Sequence, residues 1–315
     1  MLARAAVLAA LCLTSAVSAA HASSRTDTAG LLARYEPQFE QYAVDWKPSP
    51  VEPFLAGADL ERPSGIRWVV VRRSPPASAL ARGSKSLRLD TRGCSPAVNT
   101  DACYEHTATT PTVYGRVWTQ PGSISSSTVL EYWLFYPLDD WRNSVTRPTL
   151  WHMHEGDWEE VSVLLSPAGK PLEVACSQHD LGVTRTWSRV RLKDGTHPYV
   201  YIALGSHANY FLPGFHGLAS LPHEIPPRFS GLPIVEPDHT SAQAPVEPAI
   251  VDVSDGLAPW LSFAGAWGDG SFVLIRGKSG YTHLRVGDSP TGPAFHDVWR
   301  DPLLQFRAWP TDDGH

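Results

Sequence analysis

Long apolar runs are missing from this chain after its first residues, clustered positive charge is missing altogether, and cysteines number only four in 315 residues. The first absence leaves no later segment with the roughly 20 apolar residues needed to span a bilayer. The second argues against nucleic acid as a partner, because phosphate binding needs grouped Lys and Arg. The one short basic stretch, Arg189-Val190-Arg191-Leu192-Lys193, alternates like a strand with one wet face. Complete catalytic signatures are also missing: there is no H-E-x-x-H, no G-x-S-x-G and no P-loop. No internal repeat and no composition shift marks a linker, so one domain is the simplest organisation.

The N-terminus has its own logic. Met1 to Ala22 carries the single charge Arg4, the apolar run Ala5 to Leu13, and then small residues. Ala20-His21-Ala22 has the A-x-A form of a signal-peptidase site, with Val17-Ser18-Ala19 as an alternative. Residues 1–22 are therefore expected to be a secretory signal, and the protein to be secreted and extracellular. Residues 23–315 then form the mature domain, at −7 against −6 for the whole chain, since only Arg4 is lost. In an oxidising compartment Cys94 and Cys103, close together in GCSPAVNTDAC, are expected to form a local disulfide. Cys176 lies in an apolar run and reads as a buried thiol.

What is abundant is Trp (12), Pro (28) and Gly (24), with modest charge. Helical periodicity is scarce and is best at Ala29 to Tyr35. Short strands between turn signals make up the rest: Arg67 to Arg72, Val129 to Tyr136, Glu159 to Leu165, Leu172 to Ser177 and Tyr199 to Leu204. In Val129 to Tyr136 both alternating faces are largely apolar, which places that strand inside a packed sheet. Residues from about Leu221 to Pro248, dense in Pro, Ser and Gly, read as a long surface excursion. The expected fold is mostly β: an antiparallel β-sandwich with few short helices and long loops.

Chemistry concentrates in Trp151-His152-Met153-His154-Glu155-Gly156-Asp157-Trp158-Glu159-Glu160, where six of ten residues are His, Asp or Glu. On an extended chain Asp157 and Glu159 point to one side. Gly156 permits a bend that turns His154 toward them. An imidazole with two carboxylates is a partial shell for a divalent ion. The plain alternative is a solvated loop at a strand end. Against it, Trp158 between the two acids implies partial burial, and buried carboxylates cost several kcal/mol unless paired or metal-bound. His179 and His207 each follow a strand end, and a shared rim would bring them toward His154.

His154 to Glu159, Ser177-Gln178-His179 and His197 to Ala208 resemble signature segments of the vacuolar protein sorting-associated protein 62 family. Phe263 to Gly268, Ser289 to Pro293, Trp299 to Pro302, Leu31 to Pro37 and Val51 to Leu55 fit the same pattern. That family carries little assigned biochemistry. More distantly, His154-x-x-Asp157-Trp158-Glu159 after Phe135-Tyr136-Pro137 is similar to the central motif of the necrosis- and ethylene-inducing-like proteins, secreted β-sandwich cytolysins. The resemblance implies a divalent cation held by the motif's His, Asp and Glu, engaging sugar headgroups of sphingolipids. It also implies an upstream Asp, for which Asp139 or Asp140 lies in the corresponding turn. Glu155-Gly156 departs from the pattern, which has a basic residue and a second His there.

The metal-ligand candidates are thus His154, Asp157, Glu159 and His179, with Ca²⁺ or Mg²⁺ favoured and Zn²⁺ as the alternative. The first functional expectation is a metal-dependent protein that binds glycan or lipid headgroups, with peripheral membrane contact. The second is a metal-dependent secreted hydrolase, with Glu159 as general base and His207 in the site. The third is a purely structural network of acids and histidines. Oligomeric state is not written in the sequence.

Overall fold

The computed structural model describes residues 28–313 except 82, 84, 97–102, 105–109, 122–125, 142–149, 180, 217–237 and 278–279. The expected signal segment and residues 221–237 of the expected excursion lie outside the described residues. Helices are short: α1 (residues 28–35), α2 (Val51–Gly57), α3 (Asp297–Arg300) and α4 (Leu304–Ala308). The strands are β1 (Gln38–Gln41), β2 (Ala58–Ser64), β3 (Arg67–Arg73), β4 (Arg88–Thr91), β5 (Thr112–Thr119), β6 (Thr128–Asp140), β7 (Leu150–Leu165), β8 (Pro171–Gln178) and β9 (Leu181–Thr186). They continue with β10 (Leu192–Lys193), β11 (His197–Ile202), β12 (Asn209–Tyr210), β13 (Gly214–His216), β14 (Asp238–Thr240), β15 (Ala244–Val246), β16 (Ala249–Asp252), β17 (Ser271–Gly277) and β18 (Gly280–Gly287). The protein is mostly β and sandwich-like, as its alternating short runs imply.

The main sheet runs β16-β5-β6-β7-β17-β18, with β8 also paired to β7 and β9 to β8. A second sheet, β10-β11-β1-β15 with β12, covers one face of it. Between them lie Leu130, Tyr132, Leu134 and Tyr136 of β6, Val161, Val163 and Leu165 of β7, and Phe39, Val200 and Ile202 of the covering sheet. The opposite face packs on α2, on the three-stranded sheet β3-β2-β4, and on residues 260–267. Trp133 and Phe135 of β6 and Trp158 of β7 point that way. The two apolar faces of β6 thus meet two different cores, and the central strands are covered on both sides. Two pairings depart from the antiparallel pattern: β1 with β11 and β16 with β5 are parallel. Each joins strands far apart in sequence, where no tight turn dictates direction.

Trp267 closes the second core. It is fully buried, with its ring against those of Phe54, Phe135, Trp158, Trp260 and Phe263. Large aromatic truncations in such places combine lost burial with a cavity. Trp267→Ala is therefore expected to lower unfolding free energy by about 3–5 kcal/mol in urea titration, and a loss below about 1 kcal/mol would contradict this packing.

Candidate metal centre

The motif sits where the main sheet divides. One edge of β7 pairs with β6 along most of its length. On the other edge β17 pairs only with Leu150 to His154, and β8 only with Val161 to Leu165. Glu155 to Glu160 occupy the gap between them. Gly156 takes φ +63°, and a Cβ there would stand 2.1 Å from the Trp267 carbonyl oxygen, so only glycine fits. Around this residue the side chains divide. Glu155 Oε2 accepts from the backbone N–H of Asp269 at 2.8 Å. His154, by contrast, reaches Asp139, whose carboxyl feels the charges of Asp157 and Glu159.

The tightest grouping joins β6 and β7. Asp139 Oδ2 lies 3.3 Å from His154 Nε2 and 3.6 Å from His152 Nδ1. One ligand atom from each of these three residues falls within 4.8 Å of the others. Strand register explains the meeting, because Asp139 pairs directly with His154, and His152 precedes His154 by two residues on β7 and so shares its face. Each imidazole is held by its other nitrogen: His152 Nε2 bonds Ser271 Oγ, and His154 Nδ1 lies 3.4 Å from the Glu155 carbonyl oxygen. This is how partners behind a metal-binding imidazole orient it. Asp139 and His152 are buried, while the His154 side chain keeps 14% of its exposure and opens the group to solvent.

The other expected residues are close by but engaged. Asp157 accepts from His207 Nδ1 at 2.9 Å, and Tyr136 stacks flat on that imidazole at 3.7 Å. Glu159 accepts from the Ser177 hydroxyl. His179 Nε2 meets Asp238 Oδ2 at 2.9 Å, beneath the Trp141 ring. Ser206 and Tyr210 also donate to Asp238, at 2.6 and 2.5 Å. His179 and His207 both hold left-handed backbone, φ +58° and +57°, uncommon for any residue but glycine. His179 thus serves Asp238 rather than the Asp139 group. Ser206 and His207 face different carboxylates and do not pair with each other.

The electrostatics are lopsided. Burial, and then the charges of Asp157, Asp140, Asp238 and Glu159, push the Asp139 carboxyl well above the ordinary carboxylate range. Burial and then Asp157 do the same to Glu159, against the Ser177 hydrogen bond. Burial would raise Asp238 as well, but His179 and the hydroxyl donors outweigh it and the net shift is downward. Among the described residues Asp139, Asp157, Glu159 and Asp238 form no ion pair with Lys or Arg; their partners are imidazoles and hydroxyls. Asp139 Oδ1 is buried with no hydrogen-bond partner among the described residues. A carboxyl with one oxygen beside two imidazole nitrogens and the other orphaned is a donor set that fits a divalent cation. The resemblance offers Asp139 as one of two candidates for an upstream Asp, whereas the sequence reading does not include His152. The His-x-His spacing on a strand, which puts both rings on one side, was the available signal for His152.

The expected disulfide Cys94–Cys103 is present, and Cys176 is a buried free thiol. No family model matches the chain. Vacuolar protein sorting-associated protein 62 of Saccharomyces cerevisiae (strain ATCC 204508 / S288c) is 26% identical over 210 residues, covering 56% of this chain and 43% of the yeast protein. The chain thus matches less than half the length of that relative. Solved structures similar to it include NLPPya in complex with glucosamine (13% identity, TM-score 0.41) and with mannosamine (13%, 0.40), each match covering 88% of this chain and 89% of that one. Necrosis and ethylene inducing protein 2 from the causal agent of cocoa's witches' broom disease is 14% identical at TM-score 0.34, over 74% of this chain and 77% of that one. The chain therefore resembles both groups read from its motifs.

Across β7, on the Glu155 side, a second acidic group gathers at Asp90 and Asp269. Burial, and then the charge of Asp269, push the Asp90 carboxyl from 3.8 to about 7, with Arg88 opposing. Because the folded value lies above the unfolded one, the fold favours the protonated form. That contribution is complete below the ordinary carboxylate value and is lost as pH rises through about 7. Asp90→Asn is expected to flatten the fall in Tm between about pH 5 and pH 8, measured by thermal melts across the series. An unchanged slope would mean that Asp90 does not titrate there.

Proposed function

We propose that this is a secreted protein whose Asp139, His152 and His154 hold a divalent cation, and that the cation's open positions bind hydroxyl-rich headgroups of glycans or lipids. The observation that carries the reading is the buried Asp139 carboxyl, whose Oδ2 faces two oriented imidazoles while its Oδ1 has no hydrogen-bond partner among the described residues. When bound, the ion supplies positive charge to a group of buried acids and a Lewis-acidic surface for sugar hydroxyls. The chain's own residues do the rest. Ser271 and the Glu155 carbonyl orient the rings, His207 and Ser177 hold Asp157 and Glu159 beside them, and the partly exposed His154 marks the way in. Two nitrogens and one carboxylate oxygen suit Zn²⁺ or Mn²⁺. Ca²⁺ and Mg²⁺ prefer oxygen and would draw on Asp157 and Glu159 as well. Secretion is supported by the N-terminal sequence pattern and the disulfide. No observation favours the hydrolase reading: Glu159 is engaged by Ser177 and His207 by Asp157.

Binding an ion only in the folded state stabilises by mass action, about 2.7 kcal/mol at a hundredfold excess over Kd. Thermal melts with Zn²⁺, Mn²⁺, Mg²⁺ and Ca²⁺ should show such a rise for at least one ion, reversed by chelator. In Asp139→Asn the rise should vanish, while the metal-free variant melts no lower than the parent because a neutral amide replaces a buried carboxyl whose ionised form the fold disfavours. Titration with glucosamine or mannosamine, in the presence of the stabilising ion and after chelation, then reads headgroup binding. Melting curves unmoved by every ion would remove the metal and leave the structural network.

A further inference from the structure

The sheet β3-β2-β4 carries a feature the metal centre does not use. Its outer strand β3 joins β2 through a two-residue turn, Gly65-Ile66, with Ser64 paired to Arg67. Gly65 takes φ +63°, and Ile66 at the tip is completely exposed. Val70 and Val71 on β3 are 45% and 51% exposed. Arg62, Arg67, Arg72 and Arg73 are exposed on the same hairpin, and among the described residues none of them has an ion-pair partner. The hairpin's two acids are buried and committed elsewhere: Asp59 to Arg92 at 2.9 Å and Glu61 to Arg88 at 2.8 Å. Outward charge on the hairpin is therefore wholly positive, in a chain whose net charge is −6.

Edge strands are often guarded by charges and bulges. Here a bulge at Val71 interrupts the β2–β3 register, and the arginines fit that role. Guarding does not call for a fully exposed isoleucine at the tip with two exposed valines behind it. Guanidinium groups along a hairpin with an apolar tip match a phosphate-bearing surface with a hydrocarbon layer beneath it.

We propose that the β2–β3 hairpin docks on anionic lipid membranes, with Ile66, Val70 and Val71 entering the headgroup boundary and Arg62, Arg67, Arg72 and Arg73 meeting lipid phosphates and carboxylates. This surface lies on a different sheet from Asp139, His152 and His154 and does not depend on the cation there. Each arginine near an anionic surface contributes roughly a fivefold gain in partitioning, so Arg62→Gln with Arg67→Gln, the two arginines nearest the turn, should weaken binding about thirtyfold.

The test uses the full chain in chelator, with glycolipid-free vesicles of phosphatidylcholine alone or with about one-third phosphatidylserine. Chelator and the absence of sugar headgroups keep the outcome separate from that of the metal reading. Co-sedimentation should show partitioning onto the phosphatidylserine vesicles only, fading as salt rises. It should be weakened by the double arginine variant and, independently, by Ile66→Ser, with melting temperatures unchanged. No partitioning, equal partitioning onto both vesicles, or double-variant binding like the parent's would overturn the proposal. So would binding that responds to the arginines but not to Ile66→Ser, which would reduce the contact to electrostatic adsorption without entry of the apolar tip.

Discussion

Asp139, Asp157, Glu159 and Asp238 are all buried at one end of the sandwich, and an ionised carboxylate in such a place costs several kcal/mol unless it is paired. Much of the local architecture follows from that cost. The loop after β11 adopts left-handed backbone at His207 and brings its imidazole onto Asp157. The residue after β8 does the same at His179 and reaches Asp238. Ser177 turns its hydroxyl onto Glu159. Each of these is a loop or strand-end residue recruited to a carboxylate on another element, so the network ties β7, β8, β11 and β14 together.

Gly156 makes this compatible with a continuous strand. On a regular strand Glu155 and Asp157 would share a face. With φ +63° at Gly156, Glu155 instead bonds the backbone of Asp269 beside the aromatic core, while His154 meets Asp139 on the side of Asp157. Trp158, next along, fills the core that Trp267 closes, and Trp267 in turn stands against Gly156. The strand that carries the polar centre is thus fixed from behind by aromatic packing, so the positions of the imidazole and carboxylates are coupled to the second core.

Much of this was legible beforehand. Two apolar faces on Val129 to Tyr136 announced a strand covered on both sides, and two nearby cysteines in a loop-like stretch announced the disulfide. The motif's His and acids announced a polar centre. Its membership was harder to read, because it depends on register. Asp139 meets His154 only because β6 and β7 pair with those residues opposed, and a one-residue slip would send Asp139 to the other face. Likewise, nothing local in His179 reveals that it faces Asp238, since that contact spans 59 residues of chain. Part of the region read as a surface excursion instead supplies strands β14 and β15 and a buried aspartate, because Pro-rich composition reports local backbone preference and not long-range pairing.

Whether the polar centre is a binding site or an internal brace comes down to what each carboxylate still lacks. Asp238 has an imidazole and two hydroxyl donors, and its carboxyl is held below the usual range. Asp157 has the stacked imidazole of His207. Those two are complete as they stand and would serve a purely structural network. Asp139 is different: one oxygen faces two imidazoles already oriented by Ser271 and a backbone carbonyl, the other has no partner among the described residues, and every neighbouring charge that raises its pKa is negative. A brace would be better built with an amide or an arginine at that position. A cation would satisfy the orphaned oxygen and offset the acidic neighbours, with two nitrogens already oriented to share in holding it, and the reading of this protein as a metal-dependent binder stands on that residue more than on the motif that first drew attention to it.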